Sequence, residues 1–167
     1  MVRIAVCPGS FDPVTYGHLD IIKRGSAMFD RIIIAVAVNP GKTALFSMEE
    51  RVSMIKDAVE QYQNVSVDSF DGLLINFAVR SGAIAIIRGL RAMTDFEYES
   101  QMSLINKHLQ PDIETVYLMT RHEYSFLSSS AVKELIFFGA DVSAFVPPHV
   151  VERLKAKMTQ RSANGGK

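Results

Sequence analysis

Residues 32–38 read Ile-Ile-Ile-Ala-Val-Ala-Val, and residues 83–87 read Ala-Ile-Ala-Ile-Ile, each without a polar interruption. A strand with one wet face alternates apolar and polar side chains, whereas an unbroken apolar run fits a strand buried on both faces. Residues 2–7, 65–70 and 115–119 form three more short apolar stretches. Segments of helical period lie between them. Ser47-Met48-Glu49-Glu50 is a capping box, after which Val52, Ile55, Val59 and Tyr62 fall on one helix face. Thr94-Asp95-Phe96-Glu97 reads as a second box, ahead of Tyr98, Met102, Ile105 and Leu109. A helix is expected over 72–81 with Gly82 as its stop, and another over 130–138 ending at Gly139. Pro147-Pro148 introduces a last helix carrying Val151, Leu154 and Met158. Strands separated by helices need crossovers, which predicts an α/β fold with a doubly wound, five-stranded parallel sheet. One domain is expected over 1–158, with the polar, Gly-rich stretch 159–167 as a flexible tail.

The composition narrows the function. The 167 residues carry 18 Lys plus Arg against 18 Asp plus Glu, a formal net charge of zero. A protein that coats nucleic acid would show a basic excess, so any phosphate site must be local. The longest apolar run is seven residues, far short of the ~20 that span a membrane. No signal-peptide pattern opens the chain, and Cys7 has no second cysteine to pair with. These features predict a cytoplasmic domain without membrane or nucleic-acid partners.

In an open parallel sheet, ligands bind beyond the carboxyl ends of the strands. The segments expected there are 8–18 (PGSFDPVTYGH), 39–42 (NPGK), 71–74 (DGLL), 88–91 (RGLR) and 124–130 (YSFLSSS). Lys42, Arg88, Arg91, His18 and the hydroxyls of Ser128, Ser129 and Ser130 would thus converge on one edge, a composition suited to phosphate groups. His18 falls in or beside a first helical turn, where free N–H groups and the dipole favour anions. Each residue also has a plainer reading. His18 can be a surface histidine on a tight turn, and Arg88 can pair with Asp95, Glu97 or Glu99. Lys42 can be a solvated lysine, and the serines can simply cap the next helix. There is no GxxxxGK[ST] loop and no Cys/His set at metal-ligand spacing.

GSFDPVTYGH, IRGLRAMTDFEYE and YSFLSSSAVKE, in this order, closely resemble the bacterial phosphopantetheine adenylyltransferases of the nucleotidyltransferase superfamily. The resemblance runs from Ile4 to about Lys157 and implies a Rossmann-like nucleotidyltransferase fold. It implies transfer of AMP from ATP to 4′-phosphopantetheine, giving dephospho-coenzyme A and pyrophosphate, with Mg²⁺ held by the ATP phosphates. Thr15 makes the motif TxGH, where cytidylyltransferases and nicotinamide-mononucleotide adenylyltransferases look like HxGH. The catalytic set carried over is His18, Lys42, Arg88 and Ser10. Ser10, Lys42, Leu74 and Arg88 match the phosphopantetheine side. Ser10, Phe11, His18, Gly89, Leu90, Arg91, Glu99, Tyr124, Ser125, Phe126, Leu127, Ser128, Ser129 and Ser130 match the ATP side. Tyr16, Thr43 and Tyr124 depart from the frequent Asn, Lys and Trp. A homohexamer and feedback by coenzyme A are further implications of the resemblance. Two other readings stay open: transfer to another phosphorylated acceptor, and a non-catalytic nucleotide-binding domain on the same fold.

Overall fold

The computed structural model describes the backbone of residues 2–38 and 43–164, and the side chains of all of these except 93, 94 and 161–164. Five parallel strands, β1 (Ile4–Gly9), β2 (Arg31–Ala37), β3 (Val65–Phe70), β4 (Ala85–Leu90) and β5 (Glu114–Met119), form one sheet in the order β3-β2-β1-β4-β5. The helices are α1 (Tyr16–Met28), α2 (Met48–Val59), α3 (Leu74–Arg80), α4 (Met93–Leu109), α5 (Ser129–Phe137) and α6 (Pro148–Asn164), with a short 3-10 turn at His122–Tyr124. The chain starts at the central strand, winds to one edge through β2 and β3, then crosses back to build the other edge. The winding direction reverses between β1 and β4, which are paired at Ala5↔Ala85 and Val6↔Ile86.

The continuous apolar run of β2 is explained by two cores. Ile32, Ile34 and Val36 pack with Ile21 and Ile22 of α1, Met54 and Ile55 of α2, and Leu154 of α6. Ile33 and Ala35 face the opposite side, with Ile75, Phe77 and Ala78 of α3. Each fully buried Ile contributes about 1.5–3 kcal/mol relative to an exposed one, so neither face tolerates a polar residue.

Several boundaries differ from expectation. The first strand is Ile4–Gly9 rather than 2–7, and the fourth is Ala85–Leu90 rather than 83–87. Arg88 ends the apolar run but not the strand, because the ladder with β5 continues through Arg88↔Tyr117 to Leu90↔Met119. The helix expected to start at Thr94 begins earlier: α4 opens at Met93 with Ala92 as its N-cap, which places position 94 inside the helix. Asp95 turns its carboxylate back to accept the Arg91 amide at 3.0 Å. The third helix begins at Leu74, two residues later than expected, behind Gly72 at φ 85°. Residues 159–164, expected as tail, continue α6 to Asn164. Ser47 behaves as read, accepting the Glu50 amide while Glu50 accepts the Ser47 amide.

Candidate active site

A cleft of about 740 Å³ opens over the carboxyl ends of β1 and β4, at the point where the winding direction reverses. Its first wall is the turn after β1. Phe11 sits at φ 48°, a left-handed conformation costing an L-residue about 1–2 kcal/mol, and its ring is 3% exposed. Burial of that ring is worth at least as much, so the turn holds. Gly9 belongs to the same arrangement, since a Cβ there would lie 2.9 Å from the Phe11 ring. The Asp12 carboxylate accepts the Leu45 and Phe46 amides, both at 2.9 Å, and pairs with Lys133 of α5 at 2.8 Å. One buried acid therefore joins three segments of the cleft wall.

Thr15 caps α1, and His18 occupies the third helical position, where a Glu is usual in a capping box. The Thr15 backbone N–H donates to His18 Nδ1 at 3.0 Å. A backbone amide can only donate, so Nδ1 must be the unprotonated nitrogen and Nε2 carries the hydrogen. Burial, with a smaller push from the Arg91 charge, lowers the His18 pKa to about 4. The ring rests edge-on against Phe11, centroids 5.0 Å apart. His18 is therefore a neutral, oriented hydrogen-bond donor on the cleft wall.

The opposite wall comes from β4 and α4. Arg88 Nε and Nη2 donate to the two carboxylate oxygens of Glu99, while Nη1 reaches the Pro8 carbonyl at 3.4 Å. Burial opposes the Arg88 charge, but the bonds and charge of Glu99 outweigh it and raise the pKa further. Asp95 binds Arg91 Nε at 3.2 Å, and that pairing overcomes burial to hold Asp95 below the usual carboxylate range. Gly89 lets α1 approach the sheet, as a Cβ there would lie 2.9 Å from Ile21 Cγ1. At the far end, Ser128 caps α5 by accepting the Ala131 amide at 3.0 Å, and Ser129 Oγ donates to the Pro13 carbonyl at 2.8 Å.

Of the residues expected at the site, Ser10, Phe11, His18, Arg88, Gly89, Arg91, Glu99, Tyr124, Leu127, Ser128, Ser129 and Ser130 line this one cleft. Leu74, Leu90, Ser125 and Phe126 do not line it. Leu74 opens α3 and packs on the second core, Leu90 is buried, and Ser125 Oγ donates to the His122 carbonyl. Phe126 is largely exposed, edge-on to Phe145. Lys42 lies outside the described residues. Sequence reading gave no role to Asp12 or Arg51, both buried, or a binding role to Lys133. The available signal for Arg51 was a charge four residues before Ile55, on the apolar face of α2.

The arrangement can hold two anionic groups side by side and donate hydrogen bonds to charge developing between them. Among the described residues no histidine ring nitrogen is hydrogen-bonded to the hydroxyls of Ser125, Ser128 or Ser129, so a serine nucleophile there lacks its base.

Comparison with known proteins agrees with this chemistry. A model of the Cytidylyltransferase-like family matches residues 6–135. The phosphopantetheine adenylyltransferase of Caldanaerobacter subterraneus subsp. tengcongensis is 55% identical over 156 residues, 93% of this chain and 98% of that protein. That of Heliobacterium modesticaldum is 54% identical, covering 93% of each. Among solved structures, a bifunctional NMN adenylyltransferase/ADP ribose pyrophosphatase from Francisella tularensis superposes with TM-score 0.71 at 17% identity, covering 95% of this chain and 50% of that one. A lipopolysaccharide core biosynthesis protein from Thermoplasma volcanium gives 0.56 at 18%, covering 72% and 98%. These two likenesses establish the fold, and the sequence relatives establish the rest: the chain belongs to the phosphopantetheine adenylyltransferase family of Cytidylyltransferase-like nucleotidyltransferases.

Proposed function

We propose that this chain transfers the adenylyl group of ATP to 4′-phosphopantetheine, yielding dephospho-coenzyme A and pyrophosphate. The observation that carries this reading is the neutral His18, its Nε2–H fixed by the Thr15 amide, in a cleft lined by arginines and the start of α5. A phosphomonoester oxygen is already ionised at neutral pH and needs no base to attack. The difficulty lies in aligning two anions and stabilising the pentacoordinate charge. In the step, an oxygen of the acceptor phosphate bonds to the α-phosphorus of ATP, and the bond to the bridging α,β oxygen breaks with pyrophosphate taking the electron pair. His18 Nε2 and Ser10 are assigned to the α-phosphate. Arg91 and the amides opening α5 are assigned to the departing β- and γ-phosphates.

Lys42 and Arg88 are assigned to the acceptor phosphate. Glu99 holds the Nε–Nη2 edge of Arg88, so its other edge, at Nη1, is the one offered to an anion. Mg²⁺ would enter on the ATP phosphates and neutralise part of their charge. The cleft carboxylates Asp12, Asp95 and Glu99 each serve a cation of the protein, and among the described residues no cluster of metal-ligating groups forms a cage. The reading further takes the protein to act in the cytoplasm, where ATP is abundant. Among the described residues, no helix is long and apolar enough to cross a membrane. Coenzyme A, a larger relative of the product, would compete for the same cleft.

A homohexamer is supported by α4. Its expected apolar face is uncovered at Tyr98 (63% exposed), Ile105 (45%) and Leu109 (47%), and Leu104 beside it is 68% exposed. A second copy of the chain is the surface we assign to it.

Incubation with ATP, Mg²⁺ and 4′-phosphopantetheine tests the reaction by mass spectrometry. ATP made chiral at the α-phosphorus tests the single displacement. Dephospho-coenzyme A with inverted configuration is expected; retention would mean a covalent adenylyl-protein, and no product would contradict the reading.

A further inference from the structure

Arg51 has no part in the mechanism above. It lies in the first turns of α2, just after the Ser47–Glu50 box, is 6% exposed and lines the cleft. Its Nη1 donates to the Ser10 carbonyl at 2.7 Å and to the Ala37 carbonyl at 3.0 Å. One nitrogen thereby ties the turn after β1 to the last residue of β2. Its Nε is buried without a hydrogen-bond partner among the described residues.

The charges around the cleft set Arg51 apart. Arg88 pairs with Glu99, Arg91 with Asp95 and Lys133 with Asp12. Among the described residues, no carboxylate lies within ion-pair distance of Arg51. The exposed Glu49 feels its field, but that carboxyl is lowered chiefly by its own backbone hydrogen bond and by the Ser47 hydroxyl. Taking an unpaired charge out of water costs several kcal/mol, and two carbonyls answer only part of it. A residue held at that cost beside an anion cleft is balanced best when the anion is present.

Position selects which anion. Arg51 bridges the ends of β1 and β2, whereas Arg91 directly follows β4 and pairs with Asp95 of α4. Arg91, not Arg51, is the cation that acts on His18. We propose that Arg51 is a positioning residue for the acceptor: it fixes the Ser10 turn against the end of β2 and leaves a buried positive charge for a phosphomonoester dianion to offset. This rests on the reaction assigned above.

The test compares wild type, Arg51→Gln and Arg51→Lys in steady-state kinetics with both substrates, with near-UV circular dichroism as a check on folding. Arg51→Gln keeps hydrogen-bond donors without charge; Arg51→Lys keeps the charge without the fork. The expected result for Arg51→Gln is a KM for 4′-phosphopantetheine raised about tenfold or more, with the KM for ATP within about threefold. Arg51→Lys should fall between the two. An unchanged acceptor KM in folded Arg51→Gln overturns the proposal. So does a parallel loss for both substrates in which Arg51→Lys is no better, which marks a merely structural residue. Should Arg51→Gln fail to fold, Arg51→Lys decides alone: a selective rise in acceptor KM supports the proposal, and wild-type constants overturn it. Wild type lacking dephospho-coenzyme A synthesis would instead sink the assigned reaction, and the acceptor role with it.

Discussion

At the scale of single residues the account turns on one hydrogen atom. The Thr15 amide occupies Nδ1 of His18, so Nε2 must be the donor, and the lowered pKa keeps the ring neutral above about pH 4. In the proposed reaction His18 would then act by hydrogen bonding rather than by proton transfer. Protonation would set in only as pH falls toward 4, so His18 should add no inflection to the kcat profile between pH 5 and 8. The substrate phosphates, whose second ionisation lies at about 6, titrate there in wild type and His18→Ala alike. A step at 6.5 in the kcat profile that vanishes in His18→Ala would contradict a neutral donor. His18→Ala should keep its fold and lose about 10²- to 10³-fold in kcat, the cost of one transition-state donor. Near-normal turnover in that variant would remove His18 from the mechanism. The motif around His18 was legible in the sequence, but its tautomer was not, since that depends on a backbone amide three residues earlier. The arginines were legible only as alternatives. Arg88 and Arg91 each carry a carboxylate of α4, Glu99 and Asp95, so the ion-pair reading describes the free protein and leaves phosphate only part of each guanidinium.

At the scale of elements, β2 could be read from its apolar run because it needs no knowledge of its partners. The end of β4 could not, because the ladder to β5 carries the strand past Arg88. That extension places Gly89 under α1, against the body of Ile21 rather than a mobile chain end. Gly89→Ala should therefore destabilise by about 1–3 kcal/mol, seen as a lower Tm and urea midpoint. An unchanged midpoint would mean that α1 shifts without penalty. Asp12 is the other joint that sequence reading could not value, since its three partners lie at positions 45, 46 and 133. Asp12→Asn removes charge-assisted bonds to all three, and a loss of about 2–3 kcal/mol is expected by urea unfolding. A loss below about 0.5 kcal/mol would show that the two sides of the cleft are held together elsewhere.

At the scale of the whole molecule, the two faces of the sheet are unequally covered. The face of α1, α2 and α6 has the larger core, while no described side chain of α4 is buried. The apolar period of α4 was legible in the sequence, but that the chain leaves it uncovered was not. Leu104→Glu should leave the Tm of the single chain nearly unchanged and shift sedimentation toward smaller species. An assembly that persists in this variant would place the contact between copies on another surface. The central claim is the choice of acceptor, and pyrophosphate release from ATP and Mg²⁺ tests it most directly, with 4′-phosphopantetheine set against nicotinamide mononucleotide. Release with 4′-phosphopantetheine alone is predicted. Release with nicotinamide mononucleotide instead would keep the His18 chemistry and overturn the acceptor, and silence with both beside measurable ATP binding would leave a nucleotide-binding domain without transfer activity.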